Sequence, residues 1–87
     1  MKKGDRVGAI QSATDQEVIF FGYGVYDGDI DHPELGFPNP RITLDNGRIV
    51  WGCECWWGAE SKIKEMIGDR KVTDVSPDRN PEAAQAR

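Results

Sequence analysis

The sequence has few of the residues from which metal, disulfide and histidine-based sites are built. Its 87 residues include two cysteines and one histidine. A Ser/His/Asp or Cys/His catalytic set would therefore depend on His32, which precedes a proline and is expected to be exposed and inert. A zinc site usually needs four nitrogen or sulfur ligands, and this chain offers three. The sequence predicts no catalytic set, no metal site and no cofactor.

Long apolar runs are also absent. No stretch approaches the roughly 18 apolar residues that indicate a transmembrane helix. The opening "MKKGDRVGAIQS" begins with basic residues, as an export signal does, but Asp5 and Arg6 interrupt its apolar segment. With two cysteines and no such signal, we expect a reduced, cytoplasmic setting and no membrane partner.

Basic charge is scarce and scattered. The chain has 11 basic and 15 acidic residues, for a formal charge of −4. Proteins that bind nucleic acid normally present a basic patch to the phosphates, so the composition disfavours that class. A small-barrel nucleic-acid module stays as an alternative. A small enzyme or enzyme accessory subunit is the second alternative, since paired carboxylates can act without histidine.

Runs of β-branched and aromatic residues between glycines and prolines predict a mainly β fold with one short helix. The predicted strands are 5–13, 16–26, 41–44, 48–57 and 70–75, with a loop over 27–40 and a helix over 59–68. This β-β-β-β-α-β order favours a small five-stranded antiparallel sheet, strongly bent or forming an open barrel. Residues 1–75 are the predicted domain. Residues 76–87 have almost no large apolar side chain and are predicted to be a disordered tail.

The pair Asn46-Gly47 predicts a two-residue type I′ hairpin turn between the third and fourth strands. Such a turn would put Ile42 opposite Trp51, on one sheet face with Leu44 and Ile49. Continuing with period two, that core face would receive Cys53, Cys55 and Trp57. A bulge at Gly52 would invert the faces that follow it.

The stretch "IVWGCECWWG" (49–58) holds every tryptophan and cysteine of the chain. Both cysteines are expected as inward-facing thiols. A bond between them is disfavoured, because side chains two apart on a strand have Cβ atoms roughly 6–7 Å apart and a disulfide needs about 4 Å. Trp56 is predicted beside Glu54 on the polar face. It either packs over Gly22 and Gly24 or makes an exposed binding contact.

An acidic segment supplies the other candidate site residues. Asp27, Asp29 and Asp31 have the spacing that begins a calcium loop, but His32 and Pro38 occupy the positions of its glycine and final glutamate. We therefore expect a solvated acidic loop. Carboxylates next to aromatic rings attract ammonium and guanidinium groups. The candidate ligand-binding residues are Trp56, Glu54, Tyr26, Tyr23, Asp27, Asp29 and Asp31.

Three short pieces of the chain occur in the order of similar pieces in Src-homology-3 domains. They are "VYD" (25–27), "ELGF" (34–37) and "WWGAE" (56–60). The chain resembles that family in these pieces and departs from it afterwards, where a helix replaces the family's proline-asparagine-tyrosine segment. The resemblance implies a small barrel in which an acidic loop and a tryptophan line a groove for proline-rich, arginine-bearing peptides.

Together these features favour a small, cytoplasmic, non-enzymatic binding module. The expected ligand is a protein, a peptide or a cationic group, recognised through the acidic segment and exposed aromatic rings. A second copy of the chain, forming a homodimer, is one candidate partner.

Overall fold

The computed structural model describes residues 1–75, and the predicted tail at 76–87 lies outside the described residues. The described chain is mainly β with one short helix, as the sequence predicted. The strands are β1 Arg6–Ala13, β2 Glu17–Asp31, β3 Pro38–Leu44, β4 Ile49–Trp51, β5 Trp56–Ala59 and β6 Lys71–Asp74; the helix is α1 Glu60–Ile67, and a 3₁₀ turn covers Gly52–Glu54. No helix in residues 1–75 is long and apolar enough to cross a membrane.

The sheet has six strands rather than the expected five, because the predicted fourth strand is interrupted by the 3₁₀ turn. Its order is β4-β3-β2-β1-β5, and β6 pairs with β2. The pairs along this path are antiparallel, whereas β6 is parallel to β2. The expectation of a purely antiparallel sheet is therefore wrong for the last strand, which returns to the sheet through α1.

The long strand β2 organises the sheet. One of its edges pairs with β1. Its other edge pairs with β6 from Glu17 to Phe20 and with β3 from Gly24 onward. The strand thus has a gap between two neighbours on that edge, around Gly22.

Two apolar clusters hold the fold together. The first contains buried side chains from the first four strands: Val7, Ala9, Tyr26, Ile42, Leu44 and Val50. The second lies under α1, where Ile63 and Ile67 cover Ile10, Val18 and Phe20. Ile63 and Ile67 are four residues apart and so share one helix face. The helix ends at Gly68, whose φ of +57° suits glycine and whose N–H donates to the Lys64 carbonyl.

The expected loop over 27–40 is mostly strand. β2 continues through Asp31, and β3 begins at Pro38. A register shift between Tyr26 and Asp29 bends this ribbon at Gly28, whose φ is +95°. Prolines fit here because β4 pairs with β3 only from Arg41 to Thr43, so their missing N–H groups break no ladder bond to β4.

The β3–β4 hairpin forms where the sequence predicted it, but its register differs by one residue. Ile42 faces Val50, and Arg41 faces Trp51. Leu44 closes a three-residue loop, because its N–H donates to the Arg48 carbonyl at 2.8 Å. Gly47 has a φ of +88° and Asn46 does not have a positive φ, so the turn is not type I′. Ile42 and Trp51 therefore lie on opposite faces.

Candidate functional site

Two consecutive tryptophans on β5 point to opposite sides of the sheet. Trp57 lies opposite Ala9 and packs against the first apolar cluster. Its ring stacks on Tyr26, with centroids 5.2 Å apart and planes inclined by 25°. Trp56 lies opposite Ile10 but is 62% exposed. The sequence allowed Trp56 either to pack over Gly22 and Gly24 or to be exposed, and the structure shows it exposed.

The 3₁₀ turn ends at Glu54, two residues before Trp56. Gly52 begins the turn in a crowded position, where a Cβ would lie 2.8 Å from Trp57 Nε1 and 3.0 Å from Pro40 Cβ. Glu54, at the end of the turn, is exposed. An exposed indole and a carboxylate two residues apart form what we call the Trp56 corner.

The two cysteines differ in environment. Cys53 is exposed, so its expected place in the core is wrong. Its backbone N–H donates to Asn39 Oδ1 at 3.1 Å. Cys55 packs against the first cluster, and its thiol donates to the Trp51 carbonyl. Burial, with the nearby charges of Glu54 and Cys53, raises the pKa of Cys55 to about 12. Among residues 1–75, no group of three or more His, Cys, Asp or Glu side chains could hold a metal.

The three aspartates do not form one acidic loop. Asp27 is half-buried, and its Oδ2 accepts hydrogen bonds from Arg41 Nε at 3.0 Å and from the Thr43 hydroxyl at 2.6 Å. The bulge after Asp27 puts Asp29 on the other face of β2, the face of Tyr26. Asp31 ends the strand and is exposed. Asp27 is thus already paired inside the fold, whereas Asp31 faces solvent.

Tyr26 is an interior residue rather than an exposed aromatic contact. Its side chain is 8% exposed and stacks under Trp57. Its hydroxyl donates to Asp29 Oδ1 at 2.7 Å. The pKa of Tyr26 is raised, first by this hydrogen bond and then by burial. The pair Tyr26–Asp29 links the interior to the acidic strand end.

Tyr23 belongs to a different region from the Trp56 corner. Its ring meets Phe20 edge-on, with centroids 4.8 Å apart. Lys64 of α1 places its Nζ 5.6 Å from the Tyr23 ring centroid. Burial and the charge of Glu60 raise the pKa of Tyr23. Tyr23 is also one of the residues that line a cleft at the gap in β2.

Two arrangements in the structure were not predicted from the sequence. His32 was expected in solvent but is 4% exposed, with its ring 4.5 Å from that of Trp51. Its Nδ1 accepts N–H groups from Glu34 and Leu35, so the histidine shapes the loop that follows it.

The second missed arrangement is an ion-pair network across the sheet. Arg6 on β1 donates to both carboxylate oxygens of Asp45, at 2.7 and 2.8 Å, and to Glu60 at 3.2 Å. These pairs join β1, the hairpin loop and the start of α1. Residues so far apart in sequence give no local signal of such a contact.

Comparison with protein-family models, with curated proteins and with solved structures finds no match for this chain. Of the expected site residues, Trp56 and Glu54 are exposed together, Tyr26 and Asp29 are bonded to each other, Asp27 is paired with Arg41, and Tyr23 lines the separate cleft.

Proposed function

We propose that this domain is a non-enzymatic, cytoplasmic binding module that recognises a protein partner at the Trp56 corner. The observation that carries the proposal is the exposure of Trp56, the largest of the exposed apolar side chains in residues 1–75. Tryptophan is among the residues that most often dominate interface energies. Trp56 lies on a short strand that fixes its backbone. Binding therefore restricts little more than the rotation of the indole side chain, and the loss of conformational entropy is small.

The adjacent carboxylate favours a partner with a cationic group next to an apolar surface. Glu54 is exposed two residues before Trp56, and indole faces attract ammonium and guanidinium groups more strongly than other rings do. Asp27 contributes less to the attraction of a cation, because its carboxylate already accepts hydrogen bonds from Arg41 and Thr43.

Three arginines are engaged within the fold, which disfavours a nucleic-acid partner. Arg6 and Arg41 are engaged by carboxylates. Arg70 donates to the backbone carbonyls of Thr14 and Ile67. These side chains are therefore not gathered into a phosphate-binding surface.

We further propose that the sheet curves into an open barrel of the Src-homology-3 kind. The outermost strands of the five-strand path, β4 and β5, are joined by residues 52–55 alone. In a flat five-stranded sheet the two edge strands lie about 19 Å apart. A link as short as residues 52–55 does not easily span that distance, so β4 and β5 must lie closer together than in a flat sheet. The hydrogen bond from Cys53 to Asn39 also brings the link over β3.

Affinity capture with matched variants tests the partner proposal. The immobilised full chain, Trp56→Ala, Glu54→Gln and Val72→Ala are exposed to extract of the source organism. Val72 is the control because it is also an exposed apolar strand residue. We expect a protein retained by the full chain and Val72→Ala, lost with Trp56→Ala and reduced with Glu54→Gln. Equal retention by all four chains would contradict the proposal.

A further inference from the structure

A cleft of about 460 Å³ opens where β2 lacks a strand neighbour, between the end of β6 and the β3–β4 loop. Its lining includes three aromatic residues, two aliphatic residues and two aspartates: Phe20, Phe21, Tyr23, Leu44, Val75, Asp45 and Asp74. Its volume is within the range of small-ligand sites. None of the Trp56 corner residues lines it.

The floor of the cleft depends on a glycine. Gly22 has a φ of +136°, where an L side chain is strained. A Cβ at this position would lie 3.9 Å from Leu44 Cδ2, across the cleft. The backbone conformation, rather than lack of space, therefore favours glycine at this position of the cleft.

The charges around the cleft are acidic on both sides. Asp45 stands on the hairpin side and is held in place by Arg6. Asp74 stands on the β6 side and is exposed. Within residues 1–75, its carboxylate makes no hydrogen bond or ion pair, and no basic residue lines the cleft. Asp74 is thus available to a ligand cation.

We propose that this cleft binds the arginine side chain of a partner protein. A guanidinium group is planar, so it stacks on aromatic faces while it donates to a carboxylate in its plane. Phe21 supplies the ring, because within residues 1–75 it makes no ring or cation contact, whereas Tyr23 already has Lys64 over its ring. Asp74 supplies the acceptor. The site is separate from the Trp56 corner and does not depend on it.

Titration of the ¹⁵N-labelled full chain with N-acetyl-arginine-methylamide, followed by amide chemical shifts, tests the proposal. We expect saturable shifts at 20–23, 44–46 and 74–75, with a dissociation constant on the order of 1 mM for one side chain. The citrulline analogue has nearly the same shape without the charge and should bind more weakly by up to about fivefold, the upper end for an exposed ion pair.

Two isosteric variants localise the effect. Asp74→Asn should weaken arginine binding by a similar factor, up to about fivefold. Asp69→Asn removes an exposed carboxylate that does not line the cleft, and should leave binding unchanged. The proposal is overturned by unsaturable shifts, by equal binding of citrulline, or by equal effects of the two variants. Shifts centred on 54–56 would overturn it too, while favouring the Trp56 corner as the cation site.

Discussion

The Trp57 indole stacks on the Tyr26 ring inside the sheet, with the two ring centroids 5.2 Å apart. Because side chains alternate along a strand, this inward stack directs the neighbouring Trp56 outward. The packing of Trp57 thus places Trp56 on the other face of β5, where its side chain is 62% exposed.

Alanine substitutions should separate the buried and exposed tryptophans. Trp51 is 4% exposed and packs against His32, so Trp51→Ala should cost about 3–5 kcal/mol of unfolding free energy. Trp56→Ala should cost less than about 1 kcal/mol, as surface changes usually do. Urea unfolding followed by circular dichroism measures both. A greater loss with Trp56→Ala would mean that its side chain is packed in solution.

Glycine at position 24 should be irreplaceable. A Cβ there would meet the Thr43 carbonyl and lie 2.7 Å from Leu44 Cα, and neither backbone atom can move without separating β2 from β3. Gly24→Ala should therefore cost several kcal/mol, roughly 3 or more. Gly58→Ala is the control, because a Cβ at Gly58 meets nothing within 4 Å. Equal thermal stabilities of the two variants would contradict the pairing of β2 with β3.

The thiols should react in two phases. At pH 8, Cys53 is exposed and should react rapidly with a disulfide reagent such as Ellman's. Cys55 should react slowly, because it is packed and a pKa of about 12 leaves almost no thiolate at that pH. Stopped-flow absorbance should show one fast equivalent, which Cys53→Ser removes. Two fast equivalents in the native chain would show that Cys55 is accessible.

The ion pair between Arg6 and Asp45 should make a small, pH-dependent contribution to stability. The hydrogen bonds from Arg6 lower the pKa of Asp45 below its ordinary value of 3.8. The stabilisation is therefore present above that value and is lost as the pH falls through the lowered pKa. Both partners are substantially exposed, so the effect is modest.

Asp45→Asn removes this contribution, and Asp69→Asn is its control. The stability difference between the two variants should be present at pH 6 and shrink below pH 4, as thermal melts across that range can show. A difference that grows with falling pH would have the wrong sign for this pair.

The sequence predicted the class of fold because local patterns determine it. Ile63 and Ile67 mark the buried helix face, and Gly68 marks its end. The hairpin position followed from Asn46-Gly47, but the register did not. A two-residue loop and a three-residue loop can both contain Asn-Gly. They shift the pairing register by one residue, which moves every side chain of β4 to the other face of the sheet.

The errors in the candidate site came from contacts between distant residues. The break at Gly52 depends on its contacts with Pro40 and Trp57, which a local pattern does not reveal. Asp27 looked solvated because its partner, Arg41, lies on another strand. The sequence left two possibilities for Trp56, packed over Gly22 and Gly24 or exposed. The structure decides between them, because Trp57 packs against Tyr26 and Trp56 is exposed.

The solvent accessibility of the three indoles tests the central claim most directly. The chain is labelled with 5-fluorotryptophan, and ¹⁹F relaxation is measured with a soluble paramagnetic agent at a concentration where the protein is monomeric. Trp56→Phe assigns one resonance. The account predicts strong relaxation enhancement for Trp56 and weak enhancement for Trp51 and Trp57. Equal protection of Trp56 would contradict the proposed binding corner.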